Sequence, residues 1–355
     1  MSTTSLARRP AAPRPSPRWW SLGVAAALVA GLLGMPPQPA SGAAAPAPEE
    51  VSPEERIAAV VQVRAEVPGD ARTAQSLGTE RRGSGVVIDA QGLVLTIGYV
   101  ILEAMAVDVV AGDGRRVPAS IVGYDHESGF GLVRATADLG VAPMPLGDSA
   151  AISPVEPALV VSNDGGPNLQ GVYVVDRREF AGYWEYLLDD ALFTAPPHPN
   201  FAGAALVGPD GRLLGIGSLF VPAAARLDRG ILMGNMFVPI NELKPILADL
   251  LAEGRRSDPP RPWLGVYLQE RGGRIHVADV APDGPAARAG LAEGDAIVGV
   301  AGEPIAGLAD FYRKVWAQGD AGAAVPLNLL RGVETTETVV ESGDRYRWLR
   351  LRPTY

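Results

Sequence analysis

The 355-residue chain is 47 % hydrophobic, which is enough apolar material for two or three cores of ordinary domain size. Its formal net charge of −9 gives no basic surface for a nucleic-acid partner. The absence of cysteine excludes disulfides and thiolate metal sites. We therefore expect no nucleic-acid partner, no metal and no cofactor.

Residues 1–43 have the composition of an export signal. Four arginines between residues 8 and 18 precede an uncharged apolar run, Ser21–Met35, and small residues follow it. This run is shorter than the roughly 20 residues of a membrane-spanning helix. A cleaved signal peptide is predicted, with an uncleaved membrane anchor as the alternative. An exported chain without cysteine indicates the periplasm or cell envelope of a bacterium.

The next part of the chain is rich in short strand signals. Residues 44–55 are predicted to be a disordered tether, Ile57–Glu66 a first strand and Pro68–Arg82 a polar loop. From Gly83 two apolar runs flank an Asp-x-x-Gly turn, which predicts a β-hairpin. Further strands are predicted at Ala106–Val110, Val117–Val122, Phe130–Ala135, Pro157–Ser162 and Gly171–Asp176. This spacing is typical of an all-β barrel or sandwich.

A second unit follows the first convincing helix, which is predicted at Asn241–Glu253. Residues 254–262 are polar and proline-rich, as expected of a linker. Residues 263–352 mix strand signals with helical spacing. They predict a short helix at Pro285–Ala289, a strand at Ala296–Val300, a helix at Leu308–Ala317 and a closing strand at Val325–Leu330.

Several motifs stand in an order that resembles one known family. These are the Gly-Ser-Gly-Val-Val-Ile-Asp-Ala-Gln-Gly run at 83–92, Gly-Tyr-Asp at 123–125, Pro-Leu-Gly-Asp-Ser at 145–149 and Val-Ala-Pro-Asp-Gly-Pro-Ala-Ala-Arg-Ala-Gly-Leu at 280–291. The chain resembles the bacterial HtrA/Deg envelope proteases. The resemblance implies a mostly β fold, with a trypsin-like double β-barrel over 56–253 and a C-terminal α+β PDZ domain over 263–352. By analogy it also implies a homotrimer.

At the three triad positions the chain departs from this family. Where the family has histidine, aspartate and serine, the motifs place Tyr99, Gly129 and Ala202. Acyl transfer needs a nucleophile and a base, and loss of an essential triad member costs about a millionfold in turnover. The predicted function is that of an exported pseudoprotease that serves as scaffold, chaperone or regulator in envelope protein quality control. The alternatives are an active HtrA-like serine endopeptidase and an anchored envelope assembly protein.

Other groups near Ala202 leave three questions open. A rebuilt catalytic centre would use His198, Asp190 and Ser218, and a metal site would use His198 with nearby carboxylates. The aromatic cluster of Tyr183, Trp184 and Tyr186 either lines a binding cleft or packs a loop against a barrel.

The resemblance assigns peptide binding to the PDZ unit. PDZ domains bind by strand addition, with loop amides that capture the terminal carboxylate of the peptide. The expected carboxylate loop, pairing strand and pocket wall comprise Leu264, Gly265, Val266, Tyr267, Leu268, Leu308, Phe311, Tyr312 and Val315. The expected partners are peptide C-termini or unfolded protein segments, and the membrane only if the signal is uncleaved.

Overall fold

The computed structural model describes residues 52–228 and 230–351. The predicted export signal and residues 44–51 of the predicted tether lie outside these residues. No helix within the described ranges is long and apolar enough to cross a membrane.

The first barrel is a closed sheet of six strands. They are β1 (Val60–Glu66), β2 (Glu80–Val87), β3 (Leu93–Ile97), β4 (Ala106–Val110), β5 (Arg116–Tyr124) and β6 (Phe130–Ala135). The barrel order is β1-β2-β3-β6-β5-β4, and every residue of β3 is buried. The predicted hairpin is confirmed as β2 and β3, and β4 and β6 have the predicted bounds.

The beginning of this barrel differs from the prediction. A helix, α1 (Pro53–Ala58), lies where the end of the tether and the start of the first strand were expected. Ser52 and Glu55 cap it by reciprocal hydrogen bonds, and proline suits its first position. The first strand therefore begins at Val60. The predicted polar loop contains a second short helix, α2 (Ala74–Leu77), and the start of β2.

The second barrel is also a closed sheet of six strands. They are β7 (Pro157–Asn163), β8 (Pro167–Gly182), β9 (Tyr186–Ala195), β10 (Ala205–Val207), β11 (Leu213–Leu227) and β12 (Gly230–Pro239). Strands β8 and β9 form a long hairpin that is joined by the three-residue loop Tyr183–Glu185. The helix predicted from Asn241 is shorter, because only α3 (Leu247–Glu253) is α-helical. Its predicted end is confirmed by Gly254 in the left-handed region.

The C-terminal unit has a core of its own. Its sheet contains β13 (Val266–Arg271), β14 (Arg274–Val280), β15 (Ala296–Val300), β16 (Glu303–Pro304), β17 (Ala324–Arg331) and β18 (Glu334–Glu341), and its helices are α4 (Pro285–Arg288), α5 (Leu308–Trp316) and α6 (Arg345–Trp348). The order β13-β14-β15-β17-β18 leaves β13 at an edge. The prediction of Val325–Leu330 as the closing strand is wrong, because β18 pairs with β17 along its full length.

The predicted linker is held against the first barrel. The Arg256 guanidinium donates to both carboxylate oxygens of Asp125, at 2.8 and 3.0 Å. A second pair joins Arg261 to Glu127 at 2.8 Å. The Asp125 side chain is buried, so this two-point pair ties the path into the C-terminal unit to the barrel.

Candidate functional site

The three triad-equivalent positions meet at one place. The Gly98 amide donates to the Gly129 carbonyl at 2.7 Å, which brings the turn that carries Tyr99 against the start of β6. The Tyr99 hydroxyl donates to the Ser218 carbonyl at 2.8 Å. Ser218 adjoins Gly217, whose carbonyl accepts from the Gly203 amide at 2.9 Å. The fold therefore brings Tyr99, Gly129 and the Ala202 loop together, as the motif order predicts.

The loop that carries Ala202 keeps a tight bend. The Ala202 carbonyl accepts from the Ser84 amide at 2.8 Å. Gly203 has a φ of 73°, and a Cβ there would lie 1.9 Å from the Ser84 carbonyl oxygen. Position 203 therefore requires glycine for both conformation and space. At position 202 this loop presents only a methyl group.

The other two positions offer no base. Burial raises the pKa of the Tyr99 phenol, and its proton is directed at Ser218. Gly129 has no side chain, and a Cβ there would lie 3.4 Å from the Tyr186 ring. The Tyr186 hydroxyl is itself fixed by donation to the Ser128 carbonyl at 2.6 Å. The three positions together hold a methyl group, a phenol of raised pKa and a hydrogen atom.

A serine–histidine pair that sequence reasoning missed lies behind the Ala202 loop. Ser162 Oγ is 2.8 Å from His198 Nε2, and His198 Nδ1 is 3.1 Å from Gln170 Oε1. Because the Gln170 oxygen only accepts, Nδ1 carries the proton and Nε2 accepts from Ser162. This is the arrangement of a nucleophile, a base and an orienting group. Ser162 is 0 % and His198 1 % exposed, so a substrate carbonyl has no access to the hydroxyl.

The rebuilt centre of His198, Asp190 and Ser218 does not assemble. Asp190 pairs with Arg177, the Ser218 carbonyl accepts from Tyr99, and His198 contacts Ser162 instead. Within residues 52–228 and 230–351, no group of three or more histidine, aspartate or glutamate side chains is arranged to hold a metal ion. The buried polar groups around His198 therefore fix the loop that leads to Ala202.

The histidine nearest to Gly129 is buried among aromatic rings. The ring centroid of His126 lies 4.4 Å from that of Tyr124 and 4.0 Å from that of Tyr346. Neither of its ring nitrogens has a hydrogen-bond partner in the described part of the chain. Burial, together with the charge of Arg345, lowers the pKa of His126 well below its ordinary value. His126 is therefore a neutral packing residue.

The predicted PDZ residues belong to the loop before β13, to β13 itself and to α5. Six of the nine belong to the core of this domain: Leu264, Val266, Leu268, Phe311, Tyr312 and Val315. Gly265 has a φ of 75°, which only glycine adopts readily, and it turns successive amides of the loop toward one point. Strand β13 lies at the sheet edge, where an added strand pairs.

The amides of this loop have a partner that the sequence did not reveal. The carboxylate of Glu185, from the β8–β9 loop, accepts from Leu264, Gly265 and Val266 at 2.9, 2.6 and 3.0 Å. In the same loop the Tyr183 carbonyl accepts from the Leu268 amide of β13 at 2.8 Å. Glu185 is 8 % exposed.

The aromatic cluster serves this contact. Trp184 and Tyr186 stack with ring centroids 5.3 Å apart, and Tyr183 lies 6.4 Å from Tyr267 of the PDZ domain. The packing interpretation is therefore correct, but the loop packs against the PDZ groove as well as against the barrels. Local sequence held no signal for this partner.

Two family models match the chain in this order. A trypsin-like peptidase domain matches residues 83–216, and a PDZ domain matches residues 262–341. The chain therefore contains a trypsin-like peptidase domain followed by one PDZ domain. The resemblance to the HtrA/Deg family is confirmed by these domains together with the curated relatives.

The curated relatives are bacterial serine proteases. The serine protease PepD of Mycobacterium tuberculosis is 28 % identical over 80 % of this chain and 66 % of the relative. A probable periplasmic serine endoprotease DegP-like of Halomonas elongata is 28 % identical over 76 % of this chain and 58 % of the relative. The chain thus spans less than two thirds of the length of either protein.

A solved structure supports the fold. A variant of the HtrA-type protease AlgW with a tripeptide matches with a TM-score of 0.51 and 24 % identity, over 85 % of this chain and 99 % of the other. At this identity the match shows a shared architecture. It agrees with the mostly β fold of two barrels and a PDZ domain.

Proposed function

We propose that this chain is an exported, HtrA-like pseudoprotease that binds peptide C-termini or unfolded segments through its PDZ domain. Its role is that of a scaffold, chaperone or regulator in envelope protein quality control. The observation that carries the proposal is the site between the two barrels, where Tyr99, Gly129 and Ala202 converge without a nucleophile or a base.

Peptide binding is supported by the architecture of the PDZ domain. Strand β13 is an edge strand, and the loop before it presents three convergent amides. A carboxylate already fits these amides, which is the chemistry that recognises a peptide C-terminus. The similar AlgW variant is described with a tripeptide.

Export to the bacterial envelope is supported by the composition of residues 1–43 and by the relatives. The DegP-like relatives are named periplasmic. We propose the same compartment for this chain. A homotrimer, which the family resemblance suggests, is the oligomeric state to be checked by light scattering.

The first test asks whether the purified chain has a reactive serine. We expect no stoichiometric labelling by a fluorophosphonate probe and no hydrolysis of unfolded casein. An active HtrA-family protease assayed in parallel shows that the probe and the substrate are competent. Stoichiometric labelling together with casein cleavage would overturn the pseudoprotease proposal.

One observation favours the active-endopeptidase alternative, namely the Ser162–His198–Gln170 arrangement. Labelling of the wild type that disappears in Ser162→Ala would identify this pair as the reactive centre. We expect wild type and Ser162→Ala to remain equally unlabelled, because both partners are buried.

The PDZ assignment has a separate test. In Gly265→Glu, a side chain would start 3.1 Å from the Trp263 ring and would need a positive φ. We expect this variant to lose envelope proteins that the wild type retains in a pull-down. Equal capture by both proteins would place binding outside the PDZ groove. N-terminal sequencing of the exported protein distinguishes the anchored assembly protein, which keeps its apolar segment.

A further inference from the structure

The β8–β9 loop enters the PDZ groove from the second barrel. Both Glu185 carboxylate oxygens are used: one accepts from Leu264, and the other from Gly265 and Val266. A peptide C-terminus offers the same group, a carboxylate with two oxygens, to the same kind of amide loop. Glu185 therefore occupies the position where a terminal carboxylate would bind.

The same loop contacts both walls of the groove. On one side the Tyr183 carbonyl takes a hydrogen bond from Leu268 of the edge strand β13, which is the main-chain contact of an added strand. On the other side the Tyr312 hydroxyl of α5 donates to the Gly182 carbonyl at 2.6 Å and accepts from the Glu185 amide at 3.3 Å. Next to the loop, Ala181 and Leu187 pack against the PDZ core.

The backbone of this loop is strained at the residue that supplies the carboxylate. Glu185 has a φ of 57° and is the third residue of a three-residue hairpin loop. Such loops place their last residue in the left-handed region, where glycine is favoured. A non-glycine residue is held there only where surrounding contacts compensate for the strain. Turn geometry alone does not call for glutamate here, whereas its carboxylate satisfies three buried amides.

We propose that the β8–β9 loop, Tyr183–Glu185, is an intramolecular ligand of the PDZ domain, and that peptides bind only in competition with it. This proposal rests on the proposed peptide-binding function of the groove. It adds that the resting protein holds the groove closed with its own barrel. A peptide with a free carboxylate then opens the contact between the barrels and the PDZ domain.

The internal contact is suited to displacement. Burial raises the pKa of Glu185, although the three amides and the charge of Arg345 act in the opposite direction. In the groove, the ionised form of Glu185 is therefore disfavoured relative to its protonated form. Outside the groove, Arg313 pairs with Glu179 and Asp189 on exposed surface, and such pairs contribute little. A groove that is self-occupied about 99 % of the time binds a peptide about 100-fold more weakly.

The decisive variant is Glu185→Gln, which keeps the size of the side chain. Glutamine has one oxygen, so its NH2 group faces either the Leu264 amide or the amides of Gly265 and Val266, depending on its orientation. The matched control is Glu179→Gln on the same hairpin, which removes a charge that faces Arg313 but leaves the amides paired. Both variants are made in the full chain.

Hydrogen exchange measures occupancy without any ligand. We expect the amides of Leu264, Gly265, Val266 and Leu268 to be protected in the wild type and in Glu179→Gln. In Glu185→Gln we expect them to exchange at least about tenfold faster, because the closed state is less populated. Equal exchange in the wild type and Glu185→Gln would overturn the proposal.

Peptide binding measures the consequence. The probes are decapeptides with varied last four residues and a free C-terminus, arrayed beside the same peptides as C-terminal amides. We expect Glu185→Gln to bind the free-carboxylate peptides at least about tenfold more tightly than the wild type, with Glu179→Gln within about twofold of the wild type. Gly265→Glu in the Glu185→Gln background shows whether this gain arises in the groove.

The possible results separate the two proposals. Equal peptide affinity in the wild type and Glu185→Gln would overturn the internal ligand but leave the peptide-binding function in place. A gain of the same size in Glu179→Gln would also overturn it, because the effect would then be general loosening of the hairpin. Faster exchange in Glu185→Gln without binding of any peptide would overturn the peptide-binding function and with it the competition.

Discussion

Under the proposed function, the site between the two barrels lacks a nucleophile and a base, whereas the loop amides of the PDZ groove are present and already have a partner in Glu185. The deficit proposed at positions 99, 129 and 202 is chemical, and no movement of the backbone supplies a nucleophile. The closure of the groove by Glu185 is conformational, and withdrawal of one loop reverses it. Two sites in one chain can thus be silent for opposite reasons, and under these proposals only the PDZ groove is open to regulation.

The largest effect is expected at the Arg256–Asp125 pair, which connects the barrel site to the segment that leads to the PDZ domain. Arg256, in the segment that leads to the PDZ domain, holds the buried Asp125, whose carbonyl accepts from the Gly129 amide. Replacement of Arg256 by alanine leaves a buried carboxylate without its partner, and we expect a loss of about 3–5 kcal/mol in the free energy of unfolding. Urea denaturation measures this loss.

The matched control for this pair is Arg212→Ala. The Arg212–Asp210 pair is exposed and 3.7 Å long, so its removal is expected to cost less than about 1 kcal/mol. Similar losses in the two variants would show that the Asp125 pair is no stronger than a surface pair.

The second prediction concerns the buried pair behind the Ala202 loop. Ser162→Ala removes the donor to His198 Nε2 and leaves a buried acceptor without a partner, at a cost of about 1–3 kcal/mol. Thermal unfolding measures the cost, and Ser76→Ala on the exposed face of α2 is the control. An unchanged midpoint in Ser162→Ala would show that the pair does not stabilise the loop.

Local periodicity and turn chemistry were enough to predict much of the fold. The Asp-x-x-Gly turn after Val87 set the first hairpin, and Gly254 set the end of α3. The helix at Pro53–Ala58 was missed because its capping box lies in a segment that looked like a tether. Strand β18 was missed because its Glu-rich and Thr-rich sequence carries little apolar signal; six of its eight residues are exposed.

The site between the barrels and the PDZ groove also differ in how far local sequence predicts them. Tyr99, Gly129 and Ala202 follow from motif order, because each lies at a fixed distance from a recognisable turn. Glu185 contacts amides 79 to 81 positions further along the chain. No local pattern encodes such a contact, because it depends on how the hairpin and the PDZ domain pack. The contact of Glu185 with these amides was therefore not predictable from local sequence, and the assignment of the groove residues to peptide binding stays a prediction.

The third prediction uses pH to test the packing between the first barrel and the C-terminal segment. In the folded chain His126 resists protonation among Tyr124, Tyr346 and Arg345, whereas in the unfolded chain it takes up a proton below its ordinary pKa. The unfolded state therefore binds more protons. The contribution of His126 to the free energy of unfolding is fully present above about pH 6.5. As the pH falls below that value, the free energy of unfolding decreases by at most about 1.4 kcal/mol per pH unit.

The variant for this prediction is His126→Phe, which keeps an aromatic ring between the two tyrosines. We expect its unfolding free energy to fall less steeply than that of the wild type between pH 7 and pH 5. In both proteins the pH dependence that arises from His198 remains, because burial also lowers the pKa of His198. Parallel slopes would show that His126 remains uncharged in both the folded and the unfolded chain, or is charged in both.

The smallest effect, on fluorophosphonate labelling, is expected from substitution of Ala202. Ala202→Ser restores a hydroxyl, but Tyr99 remains bonded to the Ser218 carbonyl with a raised pKa, so fluorophosphonate labelling is expected to stay at background. We expect the same of Tyr99→His, Gly129→Asp and Ala202→Ser combined, because an aspartate at 129 would be strained at the φ of 82° that Gly129 adopts. Labelling of the triple variant would show that the site between the barrels lacks only these side chains and still has room for them.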